Sequence, residues 1–211
     1  MRTRIKVCGL TRPEDARLAV TLGVDALGFV FWPRSPRYVT ASQAAAIASA
    51  LPPTVCTVGV FVDQPVEHIR RIAAEVGLSA VQLHGDEPPA SWALVPGVCI
   101  KLVGAGGDFD PASVAAWPPE VYPLVDAVDP VRRGGTGKPA DWAAAAALAR
   151  VRPTVLAGGL DAGNVADAIA RVRPYAVDVS SGVERSPGIK DPGRLRAFVE
   201  AVAAADAAQT P

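Results

Sequence analysis

The strongest constraint on this chain is an alternation of two kinds of segment. Short runs rich in Val, Ile, Leu and Phe fall at about residues 4–8, 26–31, 55–62, 80–84, 98–103, 121–128, 154–157 and 176–180. Between them lie Ala- and Leu-rich stretches with helical periodicity, clearest at 13–22, 41–51, 65–76, 141–151, 161–172 and 191–205. The intervals near 87–95 and 109–117 are Pro-rich and predict short or irregular helices. Strand–helix alternation implies a parallel sheet with right-handed crossovers. Eight such units in 211 residues sit at the lower size limit of a (β/α)8 barrel. An open doubly wound sheet, with its site at a strand-order switch, is the rival arrangement.

Helix starts carry their own signals. Thr11-Arg-Pro-Glu14 and Thr40-Ala-Ser-Gln43 have capping-box spacing. Pro13 and Pro65 sit where a first turn tolerates a missing N–H. The Ala-rich end, about 201–211, reads as a helix fraying into a tail.

In either fold ligands meet the C-terminal ends of the strands, so the residues just past each apolar run are the functional candidates. Cys8 and Gly9 come after the first, W32-P-R-S-P-R-Y38 after the second and Asp63 after the third. The fourth contains Q82-L-H-G85, and the sixth carries Asp126 and then R132-R-G-G-T-G-K138. The seventh ends A157-G-G-L160 and the eighth D178-V-S-S-G-V-E184. Only the fifth lacks such chemistry, showing Gly104 and Gly106-Gly107. The linkers before the strands are terse and Pro-rich. One end of the strands therefore reads as a catalytic face and the other as a stability face.

Alternation along the first strand sends Arg4, Lys6 and Cys8 to one side and Ile5 and Val7 to the other. A thiol acts as a base only when ionised, and its ordinary pKa lies near roughly 8.5. Lys6 on the same face would favour the Cys8 thiolate. The competing reading makes Cys8 a small buried hydrophobe.

Gly158, Gly159, Ser180, Ser181 and Gly182 come after the last two strands, where many barrels hold a phosphate on backbone N–H groups. The alternative is two tight turns. Gly134-Gly135-Thr136-Gly137-Lys138 fails as a P-loop, because Arg132 and Pro139 occupy required positions. It reads instead as a basic, glycine-rich lid or as a surface turn. Asp126 lies in an apolar run, as a general acid or in a core ion pair with Arg4, Lys6 or Lys101; Asp178 shares that ambiguity. His84 shares a strand face with Gln82, as a core hydrogen-bonding group or a ligand contact. Arg37, between prolines and Tyr38, suits a carboxylate or flat ring, unless it is an ordinary exposed loop arginine.

Composition removes several classes. With 21 basic and 21 acidic residues there is no excess charge for nucleic acid. Two widely spaced histidines and three scattered cysteines suggest no metal site and no disulfide framework. No apolar signal core succeeds the N-terminal arginines and no apolar run is long enough to span a bilayer, so a reducing cytoplasm is expected.

K6-V-C-G-L-T-R12, F29-V-F-W-P-R-S-P-R-Y38, V81-Q-L-H-G-D86, L124-V-D126, G134-G-T-G-K138, A157-G-G-L160, D178-V-S-S-G-V-E184 and G188-I-K-D191 occur in order. Together they closely resemble phosphoribosylanthranilate isomerases of tryptophan biosynthesis, from Arg4 to about Phe198. The resemblance implies an α/β fold, a single (β/α)8 TIM barrel over 1–211, and a cofactor-free, metal-free Amadori rearrangement. Cys8 then matches the general base at ribose C2 and Asp126 the acid at the ring oxygen. Arg37 matches the group that engages the anthranilate carboxylate, with His84 and Asp178 lining the pocket. Gly158, Gly159, Ser180, Ser181 and Gly182 match the phosphate site, and residues 134–138 resemble the lid. Pro139 and Ala140 depart from the family's usual residues after that lid. The implied partner is a phosphosugar–anthranilate substrate, with no nucleic acid or membrane, on a monomer or homodimer. The alternatives are another sugar-phosphate barrel isomerase, or a phosphosugar-binding barrel without catalysis. The latter has no need for both Cys8 and Asp126.

Overall fold

A computed structural model describes residues 2–104, 110–126 and 140–209. Its strands are β1 (Arg4–Val7), β2 (Ala26–Val30), β3 (Cys56–Phe61), β4 (Ala80–Leu83), β5 (Val98–Val103), β6 (Val121–Val125), β7 (Val155–Leu156) and β8 (Ala176–Val179). They close in chain order into a parallel eight-stranded barrel, β8 pairing with β1. This is the (β/α)8 arrangement; the open-sheet rival is excluded by that closure.

Helices cover the outside as the periodicity predicts: α1 (Pro13–Thr21), α2 (Ala41–Ala48), α3 (Val66–Val76), α5 (Trp142–Val151), α6 (Val165–Val172) and α7 (Pro192–Ala208). The two Pro-rich intervals give only α4 (Pro89–Trp92) and a 3-10 helix at Pro111–Ala116. Ile5 and Val7 face outward into the layer between strands and helices, with Leu27, Phe29, Leu83, Leu156 and Phe198. Val58, Ala80, Ile100, Leu124, Val155 and Ala176 fill the barrel interior.

Three local expectations are corrected. Thr40 and Gln43 do form a reciprocal capping box, but Thr11 does not. Its hydroxyl donates instead to Gly188 O at 2.6 Å, and Glu14 takes the Arg12 guanidinium, so neither caps α1. Helix α6 begins at Val165 rather than near 161. The Asp161 carboxylate accepts from Gly163 N and Asn164 N, and that turn occupies the residues ahead of the helix. The expected fraying from about 201 is absent through Ala208. Val202 and Ala205 are buried, and Asp206 accepts from Thr3 N at 2.7 Å and Thr3 Oγ1 at 2.6 Å. No helix among the described residues is long and apolar enough to cross a membrane.

Candidate active site

The C-terminal ends of the strands collect the polar groups. The β1–β8 register sets Lys6 opposite Asp178, and their side chains meet at 2.6 Å with both almost fully buried. A contact of that length is a charge-assisted bond. Burial works against the Lys6 ammonium, but Asp178 and Cys8, through charge and hydrogen bonding together, outweigh it and hold the group up at about 12.

Cys8 stands just beyond β1, packed with Val30, Val60 and Trp32 at the barrel mouth. Gly28 on β2 makes room for it, since a Cβ there would lie 2.8 Å from the Cys8 sulfur. Burial pushes the thiol up, while Lys6 and Lys190 pull it back without cancelling the burial. Lys6 therefore acts in the expected direction, against the burial. The activating charge it was expected to supply is shared with Asp178.

Asp126 stands just after β6, its Oδ2 3.5 Å from His84 Nε2. His84 Nδ1 lies 2.9 Å from Gln82 Nε2. With the Gln82 amide donating to Nδ1, the ring proton sits on Nε2 and faces Asp126. None of the ion pairs expected for Asp126 forms with Arg4, Lys6 or Lys101. Arg4 lies over the Tyr175 ring, Lys6 is on Asp178, and Lys101 is on Glu87 at 2.7 Å. Lys101 shares a face of β5 with Cys99 and Val103 of the outer layer, whereas Ile100 and Leu102 take the inner face.

Of the two readings left open for Asp178, the structure shows the core ion pair. Its Oδ2 holds Lys6, whereas among the described residues Oδ1 is buried with no hydrogen-bond partner, as is Gln82 Oε1. Buried acceptors of this kind are costly unless a donor reaches them. Burial pushes the Asp178 carboxyl up and the nearby Asp126 adds to that, while Lys6 opposes both.

Arg37 is not the exposed loop arginine of the alternative reading; its side chain is 12% exposed. Its Nε and Nη2 both donate to the Glu184 carboxylate, at 2.9 and 2.7 Å. Its stem crosses Gly9, where φ is +74° and any Cβ would collide with Arg37 Cδ. Glu184 also accepts Lys190 Nζ at 2.8 Å. Burial pushes Glu184 up, but the Arg37 bond and the Lys190 charge outweigh it and leave the carboxyl below its ordinary value.

The last two loops meet directly. Gly158 and Gly159 have φ of +84° and +62°. A Cβ on Gly182 would collide with Leu160 O, so the loops after β7 and β8 touch at a point only glycine fits. Ser180 Oγ donates to Cys8 O at 3.1 Å, and Ser181 and Gly182 open a short 3-10 turn ending at Val183. The lid residues Gly134, Gly135, Thr136, Gly137 and Lys138 lie outside the described residues.

Gly28, Glu184 and Lys190 are site residues to which sequence reasoning gave no role. The signal was weak: Glu184 reaches Arg37 across 147 residues and Lys190 reaches Cys8 across 182, so only the closed barrel reveals them. At the opposite end of the barrel a groove of about 470 Å³ is lined by Arg2, Arg152, Arg173 and Tyr175. Arg2 is tied to Asp25 and Arg152 to the carbonyls of Val114, Trp117 and Pro118, and none of the strand-end polar groups opens into it.

The chain matches the family model for N-(5'-phosphoribosyl)anthranilate isomerase over residues 5–201. It is 50% identical over 197 residues to the isomerase of that name from Geobacter sp. (strain M21), covering 93% of this chain and 96% of the relative. Among solved structures it is similar to the phosphoribosyl anthranilate isomerase of Thermus thermophilus, with TM-score 0.87 and 41% identity over 96% and 99% of the two chains. A second is a phosphoribosyl anthranilate isomerase in complex with reduced 1-(o-carboxyphenylamino)-1-deoxyribulose 5-phosphate, with TM-score 0.84 and 40% identity over 96% and 99%.

Proposed function

The chain belongs to the N-(5'-phosphoribosyl)anthranilate isomerase family, and from that premise we propose that Cys8 and Asp126 are the base and acid of its Amadori rearrangement. The reaction converts N-(5-phosphoribosyl)anthranilate to 1-(o-carboxyphenylamino)-1-deoxyribulose 5-phosphate. Asp126 gives a proton to the furanose ring oxygen as the C1–O bond breaks, and the anilino nitrogen lone pair forms a C1=N iminium. That iminium acidifies the C2–H bond. Cys8, as the thiolate, takes the C2 proton, and the freed pair forms C1=C2 and quenches the iminium. In the tautomerisation of the enaminol to the ketose Cys8 gives its proton to C1 and Asp126 takes one from the C2 hydroxyl, which restores both groups.

The observation that carries this reading is that the closed barrel sets Cys8, just past β1, and Asp126, just past β6, at the same end, where Asp178 of β8 pairs with Lys6 of β1. The unpartnered Asp178 Oδ1, with Gln82 Oε1, supplies acceptors for sugar hydroxyls. His84 orients Asp126, and Arg37 receives the aromatic carboxylate. Gly158, Gly159, Ser180, Ser181 and Gly182 receive the phosphate, with Gly134–Lys138 as a lid. We further infer a single barrel domain over 1–211 and a cytoplasmic address, which suits a base that is a free thiol.

The test is loss of anthranilate-type fluorescence when purified protein meets freshly made phosphoribosylanthranilate. Conversion by the wild type, and by neither Cys8→Ala nor Asp126→Ala, supports the assignment. Conversion surviving either substitution removes that residue from its role. Sedimentation of the same preparation distinguishes monomer from homodimer.

A further inference from the structure

The end of the chain's last βα loop carries two charged side chains that take no part in the proton transfers at Cys8 and Asp126. Glu184 begins β9 (Glu184–Ser186), which pairs antiparallel with β10 (Ile189–Lys190). This small hairpin turns at Gly188, where φ is +80°, and folds back against the loop after β1. Thr11 and Asp15 hold it there, through Gly188 O and Lys190 N.

Lys190 is fully buried, and its ammonium is completely engaged. It donates to Glu184 Oε1 at 2.8 Å, to Cys8 O at 2.6 Å and to Ser180 O at 3.3 Å. The Glu184 carboxylate accepts Arg37 twice, Lys190 once and Gly188 N once. A buried charge costs several kcal/mol unless paired and hydrogen-bonded, so a cluster this complete fixes geometry.

The charge count matters as much as the geometry. Arg37 and Glu184 alone form a neutral pair, and a neutral pair has little to offer an incoming carboxylate. Lys190 restores one net positive charge to the cluster. Glu184 uses the Nε–Nη2 edge of Arg37, which leaves the Nη1 side for a second, incoming carboxylate.

We propose that Glu184 and Lys190 are positioning residues of this site. Glu184 presents the Arg37 guanidinium to the aromatic carboxylate, and Lys190 ties that clamp to the backbone of Cys8 and Ser180. The carboxylate clamp, the base and the loop after β8 are thereby held in one frame. The inference rests on Arg37 being the carboxylate receptor.

The experiment compares kcat/KM for phosphoribosylanthranilate with that for N-(5-phosphoribosyl)aniline, which lacks only the carboxylate. The wild type is expected to favour the first strongly, and Arg37→Met to lose that preference. Glu184→Gln keeps shape and raises the cluster's net charge, so a purely electrostatic role would raise the preference; loss of the aimed guanidinium is expected to cut it about tenfold instead, the scale of one charge-assisted hydrogen bond. A protein merely loosened by the substitution loses both activities together and keeps their ratio. Should Glu184→Gln not fold, Glu184→Asp keeps the charge, shortens the reach and reads out the same ratio. Lys190→Met is expected to cut the preference as well and to raise the pH at which Cys8 is alkylated.

If the wild type shows no preference, the Arg37 reading fails. If Arg37→Met abolishes the preference while Glu184→Gln and Lys190→Met retain it, the Arg37 reading stands and the positioning role is wrong.

Discussion

Lys6 and Asp178 face each other across the seam where the last barrel strand meets the first, closing a 2.6 Å ion pair with its charges out of water. The pair joins the two strands that carry the base and one of the proposed phosphate loops, so it serves stability and chemistry together.

Removing one partner strands the other. Lys6→Met leaves Asp178 buried and uncompensated, and is expected to cost about 3–5 kcal/mol in urea unfolding. The double variant Lys6→Met/Asp178→Leu recovers most of it. The pH dependence has a definite sign. Lys6 is held at about 12 against an ordinary 10.5, so its contribution is full below pH 10.5 and is lost as the pH rises towards 12. An alkaline unfolding profile identical in wild type and double variant would refute this.

Cys8 is expected to resist alkylation at neutral pH. Burial pushes its thiol up, so the iodoacetamide rate, tracked on the Cys8 peptide by mass spectrometry, rises only on the alkaline side of an ordinary thiol. Lys6→Met moves that rise to still higher pH, because Lys6 opposes the effect of burial. A Cys8 that alkylates with a midpoint below the ordinary value contradicts the burial argument, and an unmoved midpoint in Lys6→Met removes Lys6 as an activating charge.

Gly28 guards the position of the sulfur. Gly28→Ala places a methyl group 2.8 Å from Cys8 Sγ where the strand conformation itself tolerates alanine. The expected outcome is a native circular dichroism spectrum with kcat lowered about 100-fold, the cost of misplacing a reacting group by around an ångström. Unchanged kcat would mean that the thiol has freedom the packing does not show.

Asp206 anchors the C-terminal helix to Thr3 through two hydrogen bonds. Asp206→Ala is expected to destabilise by about 2–3 kcal/mol, with kcat and KM nearly unchanged since the anchor lies at the face away from the chemistry. Thermal unfolding and steady-state rates check both halves.

The fold was legible because hydrophobic period and turn residues agree along the chain, and all eight runs became strands. The failures are places where a side chain chose a distant partner over a local one. Thr11 looked like a cap but bonds Gly188, and the Ala-rich tail looked frayed but docks through Asp206. The site divides in the same way. Cys8, Arg37, His84, Asp126 and Asp178 could be found because they interrupt or end apolar strands. Their partners could not, because Arg37–Glu184 and Cys8–Lys190 join opposite ends of the sequence. No local pattern records a pairing across 147 or 182 residues.

The hairpin bearing Lys190 has a consequence for how the protein comes into being. Residue 8 leaves a ribosome long before residue 190, yet residue 190 grips its carbonyl. Its neighbours Asp178 and Ser180 also arrive late. A nascent chain with its first six strands in place therefore has a thiol with neither its backbone anchor nor the flanking charges of Asp178 and Lys190. Catalytic competence waits for this hairpin, and translation ending before residue 190 leaves an incompletely built site.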